Sequence, residues 1–409
     1  MSQIRAVAVG RIYDSRGKAT IEAEITLDSG ARARAGAPSG ASTGAHEVAA
    51  FPKGGVPAAL AAVRERLTPA LVGVDAADQG AVDGTIHSVD GTADLSHLGG
   101  NSATAVSVAA AMAFAAEQGE PLWRVLARPG VDGRRFPAIV GNCLNGGRHA
   151  IGGPDIQEFI AYADDADPAR SVEAALRVHT LIGEQLHHRY PTAALGRGDE
   201  GGWVAAIGNV EALEILVNAC AQARDELHIP VHPGLDLAAS EFFEAGQYRY
   251  KDRTLDTEGQ IAFVSGLVDK YGIRYLEDPL DQEAFEGFAT LTHAVGNRTL
   301  VVGDDIYVTN VSRLRRGIDL ASSNAVLIKV NQVGTLTDTL RTVDLAVSKG
   351  LATVASHRSG EVPESWLTHV AVGTGARGLK CGLLGGERMA KLNELLRLGA
   401  ATVHTPHAR

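Results

Sequence analysis

Three acidic residues, each closing a short apolar run, have the types and spacing to bind a cation. The runs VHPGLD, GIRYLE and TLVVGD end at Asp236, Glu277 and Asp304, and each interval between the acids fits a strand, a helix and two loops. Because a parallel α/β barrel gathers the carboxyl ends of its strands at one mouth, we expect the three carboxylates to converge. Considered alone, each of the three acids could instead be a helix N-cap or a surface residue. Their joint spacing predicts a Mg²⁺ site with oxygen ligands.

Lys329 could act as a base beside that site. It closes the apolar strand AVLIK, one similar interval after Asp304. Nearby cations would lower the pKa of its ammonium group and leave an amine able to abstract a proton. A salt bridge to one of the acids is the alternative. Lys380, in GLKCG on a later strand, could likewise be a base or a salt-bridge partner. Asp278 and Asp305, next to the predicted ligands, are expected to support those ligands or to cap a helix.

A group of cationic and hydroxyl side chains directly follows the next strand, LATVAS. It consists of His357, Arg358 and Ser359, again at a similar interval after Lys329. Arginine recognises an oxyanion with two parallel hydrogen bonds, and a hydroxyl near the start of the following helix adds neutral donors. The pattern predicts a phosphate-binding site.

Two further acids could donate a proton. Glu200 lies in the loop GDEGG, which is too rich in glycine to serve packing, and Glu158 follows Gln157 in the strand DIQEFIAYA. Two carboxyl groups close together raise the pKa of one of them, which leaves a protonated acid able to donate to a leaving hydroxyl. His149, in GGRHAIGG, could assist, although a lone loop histidine is as readily incidental.

Composition limits the classes of protein to which the chain can belong. Its 409 residues are 45% apolar and 21% charged, which fits a barrel of about 250 residues with a smaller second domain. The net charge of −10 argues against nucleic acid or an anionic membrane as partner. The N-terminus lacks the pattern of a secretory signal, and three widely spaced cysteines suit a reducing cytoplasm: Cys143, Cys220 and Cys381.

The N-terminal segment, 1–128, predicts an α+β domain. Strands are expected at 4–9, 20–26 and 31–35, the second with the alternation I-E-A-E-I. The segment PSGASTG, 38–44, has no apolar side chain larger than alanine, so we expect a mobile loop over 36–46. Helices are expected at 56–71, 76–87 and 102–118, the last of them buried and too short an apolar run to cross a bilayer.

The rest of the chain, 136–409, predicts the barrel, with 129–135 as linker. A strand at 138–144 is followed by a turn and a returning strand at 156–162, and then by a helix over 169–188. Strand and helix patterns alternate from there to a last helix at 387–398. The fold class predicted is therefore α/β, with a C-terminal barrel and a smaller N-terminal α+β domain.

The motifs resemble enolase, the phosphopyruvate hydratase family, across nearly the whole chain. Those that carry the resemblance are YDSRG at 13–17, PSGASTG at 38–44, LNGGRHA at 144–150, QEF at 157–159, GDEGG at 198–202, GLD at 234–236 with SEFF at 240–243, EDP at 277–279, GDDIYVTN at 303–310, KVNQVGT at 329–335, SHRSGE at 356–361 and ERMAKLNELLR at 387–397. Several of them are specific to this family.

The resemblance implies a role for each matching position in an enolase-type barrel. The reaction implied is removal of the C2 proton of 2-phosphoglycerate, or a close analogue, and loss of its C3 hydroxyl with two Mg²⁺ ions. The implied metal ligands are Asp236, Glu277 and Asp304 for the first ion and Ser39, in the mobile loop, for the second. The implied catalytic residues are Lys329 as base, Glu200 with Glu158 on the acid side, and His149 and His357 lining the cavity. The implied substrate ligands are Arg358 and Ser359 for the phosphoryl group, and Lys380 and Gln157 for the carboxylate.

Departures from the family pattern leave the substrate open and suggest a divergent paralogue. Lys18-Ala19 stands where members have Asn-Pro, and Trp203-Val204-Ala205 where they have Phe-Ala-Pro. One alternative is an enolase paralogue of phosphonate or phosphinate antibiotic biosynthesis that makes carboxyphosphonoenolpyruvate. Another is an inert, enolase-like binding protein, which retention of Lys329 and Glu200 disfavours. The family also implies a homodimer or larger homo-oligomer, in which Glu22 and Arg397 could pair between subunits.

Overall fold

The N-terminal part is a three-stranded antiparallel meander packed on helices. A computed structural model describes residues 2–40 and 43–404, so part of the predicted mobile loop, residues 41 and 42, lies outside the described residues. The strands are β1 Ile4–Tyr13, β2 Ala19–Leu27 and β3 Arg32–Gly36, in the order β1-β2-β3. Alternate residues of β2, from Ile21 to Leu27, are fully buried. The predicted alternation thus gives β2 one face toward the core.

Helices cover the inner face of this meander. They are α1 Gly55–Ala62, α2 Thr68–Leu71, α3 Gln79–Asp90, α4 Gly100–Gln118 and α5 Leu122–Val125, with a π-helical turn, Val63–Leu67, joining α1 to α2. The helix α4 corresponds to the predicted buried helix, and its small side chains pack it closely against β2 and β3. Among the described residues, no helix combines the length and apolarity needed to span a membrane.

Eight strands of the described residues close into a barrel, and five others, of two or three residues each, lie in the loops between its elements. The strands that follow β3 are β4 Ala138–Asn145, β5 Glu158–Ala163, β6 Gly196–Arg197, β7 Trp203–Val204, β8 Val231–Asp236, β9 Phe243–Glu244, β10 Gln247–Arg249, β11 Thr254–Leu255, β12 Tyr275–Glu277, β13 Leu300–Gly303, β14 Ala325–Ile328, β15 Ala352–Ser356 and β16 Gly378–Gly382. The barrel order is β4-β5-β8-β12-β13-β14-β15-β16, closed by pairing of β16 with β4.

The returning strand β5 departs from a purely parallel barrel. It runs antiparallel to both β4 and β8, and all other barrel neighbours are parallel. Its amino end, not its carboxyl end, therefore lies at the mouth. This orientation sets Glu158, the first residue of β5, directly opposite Asp236, the last residue of β8.

An outer layer of helices surrounds the strands. These helices are α6 Pro168–Arg189, α7 Asn209–Leu227, α8 Thr257–Tyr271, α9 Phe285–Val295, α10 Val311–Asp319, α11 Val330–Val333, α12 Leu336–Ser348, α13 Trp366–Thr374 and α14 Gly386–His404. The main core lies between them and the outer faces of the barrel strands, and it continues between the N-terminal meander and its helices. A second, smaller core fills the barrel interior and includes Val140, Ile160, Tyr275 and Leu327. The predicted linker, 129–135, lies between α5 and β4.

Glu364 connects the barrel to the meander and has an altered acidity. Its two carboxyl oxygens lie 2.8 and 2.9 Å from the Gly36 nitrogen at the end of β3. Burial raises the pKa of Glu364 to about 7. An acid with a raised pKa in the folded state binds its proton more tightly there than in the unfolded chain. The stabilisation it gives is therefore complete at low pH and is lost as pH rises toward 7.

We expect Glu364→Gln to gain stability relative to the unmodified protein as pH rises from 5 to 8. The glutamine oxygen can still accept the Gly36 N–H, but it carries no charge to be desolvated. Urea denaturation of both proteins at pH 5, 6, 7 and 8 gives the difference in free energy of unfolding. The exposed Glu258 supplies the control, Glu258→Gln, which makes the same substitution at the surface. A constant difference for Glu364→Gln would contradict the prediction.

Candidate active site

The three predicted metal ligands lie at the mouth of the barrel. Asp236 ends β8, Glu277 ends β12 in register with it, and Asp304 directly follows β13. All three are buried, with exposures of 3%, 0% and 8%. The strand ends thus bring these three side chains to the same end of the barrel.

The ammonium group of Lys380 lies among the acids at the centre of the mouth. Its Nζ is 2.8 Å from Asp236 Oδ2, 2.7 Å from Glu277 Oε1 and 3.3 Å from Glu158 Oε2. Burial lowers the pKa of Lys380, but the surrounding carboxylates outweigh this and raise it well above its usual range. The same environment raises the pKa of Glu277 to about 8, first through burial and then through Asp236.

These donors fit a hard divalent cation. Five buried carboxyl groups face the two ammonium groups of Lys329 and Lys380, so carboxyl groups outnumber amines at the mouth: they belong to Glu158, Glu200, Asp236, Glu277 and Asp304. Carboxylate oxygens in a site of this charge suit Mg²⁺. Among the described residues, two groups of three possible metal ligands have their donor atoms within 4.8 Å of one another. They are Asp278 with Asp304 and Asp305, and His149 with Glu158 and Glu200.

Asp278 supports the backbone that carries Asp304. Its two carboxyl oxygens accept the backbone N–H groups of Asp304 and Asp305 at 2.9 and 2.7 Å. Asp278 itself has a φ of 38°, a left-handed conformation that costs energy for a residue with a Cβ. These two hydrogen bonds agree with the supporting role expected for Asp278. They fix the backbone of Asp304, after β13, relative to the end of β12.

Lys329 forms an ion pair with Asp304, the alternative considered for it from the sequence. Its Nζ contacts Asp304 Oδ2, whose partner oxygen, Oδ1, accepts the Gln332 side-chain amide at 2.9 Å. Burial lowers the pKa of Lys329, but Asp304 more than offsets this, so the pKa is raised. This differs from the expected lowering, because the protein's own charges around the amine are predominantly negative.

The two predicted acid residues form a group with two histidines. Glu200 Oε2 accepts the Asn142 side-chain amide at 2.8 Å and lies 3.3 Å from His357 Nε2. His149 Nδ1 lies 3.8 Å from Glu158 Oε1 and 4.0 Å from Glu200 Oε1. The predicted pair of neighbouring acids is therefore present at the mouth, with His149 and His357 beside it.

Their pKa values shift in opposite directions. Burial and the nearby charge of Glu200 raise the pKa of Glu158 well above its usual range. Burial also acts to raise the pKa of Glu200, but His357 and His149 outweigh it and hold that pKa well below its usual range. The two carboxyl groups can therefore hold one proton between them near neutral pH, as the sequence predicted for an acid pair.

Arg388 fixes the orientation of the His357 ring. His357 Nδ1 accepts the Arg388 guanidinium at 2.7 Å, and the Gly382 N–H approaches the same nitrogen at 3.3 Å. Because Nδ1 accepts, the ring proton lies on Nε2, which faces Glu200. Burial lowers the pKa of His357 to about 4, so the ring is neutral near pH 7.

The predicted phosphate-binding residues lie where the loop after β3 meets the loop after β15. Ser39 and Gly360 exchange two backbone hydrogen bonds of 2.8 and 2.9 Å. The Ser39 hydroxyl accepts the Asn101 side-chain amide at 2.9 Å, and the Ser359 hydroxyl accepts Arg16 at 3.4 Å. These contacts bring Ser39, the residue of the predicted mobile loop, beside the segment that follows β15.

Arg358 pairs with a carboxylate that the sequence analysis did not single out. Its terminal nitrogens lie 3.0 and 3.1 Å from the Glu47 carboxyl oxygens, and Nη1 also donates to Asn331 Oδ1 at 2.7 Å. Both side chains of the ion pair are largely buried, with exposures of 3% for Arg358 and 9% for Glu47. The predicted phosphate ligand is thus held in place by an acid from the loop after β3.

We expect Glu47→Ala to destabilise the protein by about 3–5 kcal/mol, because it removes one partner of a buried ion pair. Inorganic phosphate should recover part of this loss, since an anion bound at Arg358 stabilises the folded state. Urea denaturation with and without phosphate measures both effects. The exposed Glu65 supplies the control Glu65→Ala, which should be close to neutral. A neutral Glu47→Ala would contradict the prediction.

One small cavity joins these groups. It has a volume of about 30 Å³, and its lining contains Gly40, His149, Gln157, Glu158, Glu200, Asp236, Asp304, Lys329, Ser356, His357, Arg358, Ser359 and Lys380. Four buried polar atoms of this lining have no hydrogen-bond partner among the described residues: His149 Nδ1, Gln157 Oε1, Glu158 Oε2 and His357 Nε2. Unsatisfied buried polar atoms at one place indicate a site built for a polar ligand.

Comparison with known proteins assigns the family. Residues 134–405 match the family profile of the enolase C-terminal TIM barrel domain, and residues 4–126 match that of the enolase N-terminal domain. The chain belongs to the enolase family. It is similar to the curated enolase of Methanothermobacter thermautotrophicus, with 46% identity over 403 residues that cover 97% of this chain and 96% of the relative.

Two further relatives give the same result. The enolase of Natronomonas pharaonis is 45% identical over 402 residues, covering 98% of this chain and all of the relative. That of Halobacterium salinarum is 46% identical over 400 residues, covering 97% and 99%. The predicted enolase resemblance, the barrel with a smaller N-terminal domain, and the enzyme class of carbon–oxygen lyase are confirmed.

Several residues of this enolase-family site were missed by the sequence analysis. They are Arg16, Glu47, Asn101, Asn142, Asn331, Gln332 and Arg388. Asn142 could have been found, because it is a polar residue within the buried strand β4. Glu47 and Arg388 reach the site through long-range contacts, for which the sequence offers no local signal.

Proposed function

We propose that the protein is a Mg²⁺-dependent enolase that converts 2-phosphoglycerate to phosphoenolpyruvate and water. The observation that carries the proposal is one cavity lined both by the amine of Lys329 and by the acid pair Glu158 and Glu200. A proton beside a carboxylate is very weakly acidic, so its removal needs a base, and loss of hydroxide needs an acid. The family names of the relatives favour the same reaction.

The proposed reaction divides the work between the two groups. The protein's own charges raise the pKa of Lys329, and the positive charge of bound Mg²⁺ would lower it and leave a neutral amine. That amine would take the C2 proton as the electrons of the C2–H bond move into the substrate carboxylate, which Lys380 and Gln157 would meet. The electrons then return to form the C2–C3 double bond as the C3–O bond breaks. Glu158, whose pKa is raised, supplies the proton, and Glu200 passes it to the leaving hydroxyl, which departs as water.

The remaining residues would bind and orient the substrate. Arg358 and Ser359 would hold the phosphoryl group, with Glu47 keeping the guanidinium in place. His149 and His357 would line the cavity beside the leaving hydroxyl. A substrate held in one orientation by these contacts presents its C2 proton to one side of the cavity and its hydroxyl to the other.

The acids at the mouth would hold the metal. Asp236, Glu277 and Asp304 would bind one Mg²⁺, and Ser39, in the loop expected to close on the substrate, would contribute to a second. When bound, the two ions supply positive charge that stabilises the dianionic enolate. The excess of buried carboxyl groups over amines at the mouth supports this assignment.

Incubation with 2-phosphoglycerate and Mg²⁺, followed by the absorbance of the enol ester, tests the proposal. Turnover that stops on chelation of Mg²⁺ is the expected result. Absence of turnover, with turnover of a glycerate bearing a carboxyphosphono group, would support the antibiotic-pathway alternative instead. Absence of C2 proton exchange with every glycerate offered would support an inert binding protein.

We also propose that the protein forms a homodimer. The family resemblance motivates the proposal, with Glu22 and Arg397 as candidates for a contact between subunits. Within one chain, Arg397 pairs with Glu394 of its own helix at 2.8 Å. A monomeric mass by light scattering would rule the dimer out.

A further inference from the structure

The loop that carries Glu200 is the tip of a short hairpin. Strands β6 and β7 pair antiparallel, with Arg197 opposite Trp203. Inside the tip, the Gly198 N–H donates to the Gly202 carbonyl at 2.9 Å, and the Gly201 N–H donates to the Gly198 carbonyl at 3.0 Å. These bonds define the shape of the tip. Three contacts join it to the rest of the barrel domain: Trp203 pairs with Leu144 of β4, Asn142 donates to Glu200 Oε2, and Arg388 donates to the Asp199 carbonyl at 3.2 Å.

Trp203, three residues after Glu200, packs against helix α6. Its indole N–H donates to the His179 carbonyl at 2.9 Å. The ring lies so close to Gly183 that a Cβ there would come within 2.4 Å of it. The rings of His179 and His187 lie 5.6 and 5.5 Å from the indole, the first stacked and the second edge-on. Trp203 therefore anchors one strand of the hairpin to α6.

The side chain of His179 contacts the hairpin tip itself. Its Nε2 lies 2.8 Å from the carbonyl oxygen of Gly201, the residue next to Glu200. A carbonyl only accepts, so Nε2 carries the proton. His179 is 3% exposed, and burial lowers its pKa, which favours the neutral ring with its proton on Nε2.

We propose that His179 is a positioning residue for the elimination step. Through its bond to Gly201 and its contact with the Trp203 indole, it holds the hairpin that presents Glu200 to the leaving hydroxyl. His179 is not one of the described residues that line the cavity, so it acts only through Glu200. This role rests on the proposed function, in which Glu200 donates the proton and Lys329 removes the C2 proton from a different strand.

The two half-reactions separate this role from a general structural one. His179→Leu should lower the elimination rate by about 10²-fold, the effect of a displacement of about 1 Å in a catalytic group. Exchange of the C2 proton of 2-phosphoglycerate with D₂O, followed by NMR, should stay within about twofold of the unmodified protein. His179→Gln, which keeps a side-chain donor, should recover part of the elimination rate.

A second measurement is independent of turnover. Amide hydrogen exchange over 198–204 should be faster in His179→Leu and in Trp203→Phe, which loses the indole N–H, than in the unmodified protein. The control is His188→Leu, on the exposed side of the same helix, which should change neither exchange nor activity. Failure of the unmodified protein to act on 2-phosphoglycerate would contradict the proposed function but leave this measurement decisive.

Two results would overturn the inference. One is an equal loss of C2 exchange and elimination in His179→Leu, which a general disturbance of the barrel would produce. The other is unchanged amide exchange over 198–204 in both variants. If His179→Leu does not fold, Trp203→Phe and His179→Gln supply the same comparisons with smaller changes.

Discussion

Replacing Lys329 with methionine is expected to abolish exchange of the C2 proton and, with it, elimination. Methionine has a similar length and no basic nitrogen, so the cavity keeps most of its shape while the proposed base is lost. Loss of a general base typically costs about 10²–10⁴-fold in rate. NMR of 2-phosphoglycerate in D₂O measures the exchange, and enol-ester absorbance measures the elimination.

The exposed Lys349 supplies the matched control for this prediction. Lys349→Met removes the same functional group from the end of α12 and should leave both rates unchanged. Circular dichroism establishes that Lys329→Met is folded, since loss of the amine leaves Asp304 without its ion-pair partner. Exchange in a folded Lys329→Met at the rate of the unmodified protein would exclude Lys329 as the base.

The barrel and its mouth were predictable because they follow from local patterns. Apolar runs that close on Asp236, Glu277 and Asp304 are visible in the sequence, and the barrel geometry brings such ends together. The alternation in β2 and the small residues of α4 likewise indicated one buried face and one buried helix. Periodicity and spacing suffice where a residue's position depends on its own strand or helix.

Contacts between segments far apart in the sequence could not be predicted from periodicity and spacing. The pairing of Glu47 with Arg358 joins residues 311 positions apart, and the Arg388 contact to His357 crosses from α14 to the end of β15. Neither charge has a local pattern that names its partner. The direction of the pKa shift of Lys329 could not be predicted from the sequence either, because it depends on the sum of the charges at the mouth of the barrel.

Replacing Glu200 with glutamine is expected to separate the two half-reactions, which Lys329→Met is expected to stop together. Glutamine keeps the shape of the side chain and can still accept the Asn142 amide, but it has no acidic proton to donate. We expect elimination to fall by about 10²–10⁴-fold, the range for loss of a general acid. Exchange of the C2 proton should continue, because Lys329 and the carboxylate-binding residues are unchanged.

The comparison between the two variants carries more information than either alone. If Lys329 and Glu200 act in successive steps on opposite sides of one substrate, only Lys329→Met stops exchange, and both variants stop elimination. The exposed Glu173 supplies the control Glu173→Gln, which should affect neither rate. Loss of exchange in Glu200→Gln, with the protein folded, would mean that Glu200 takes part in proton removal, and the division of roles between base and acid would then be wrong.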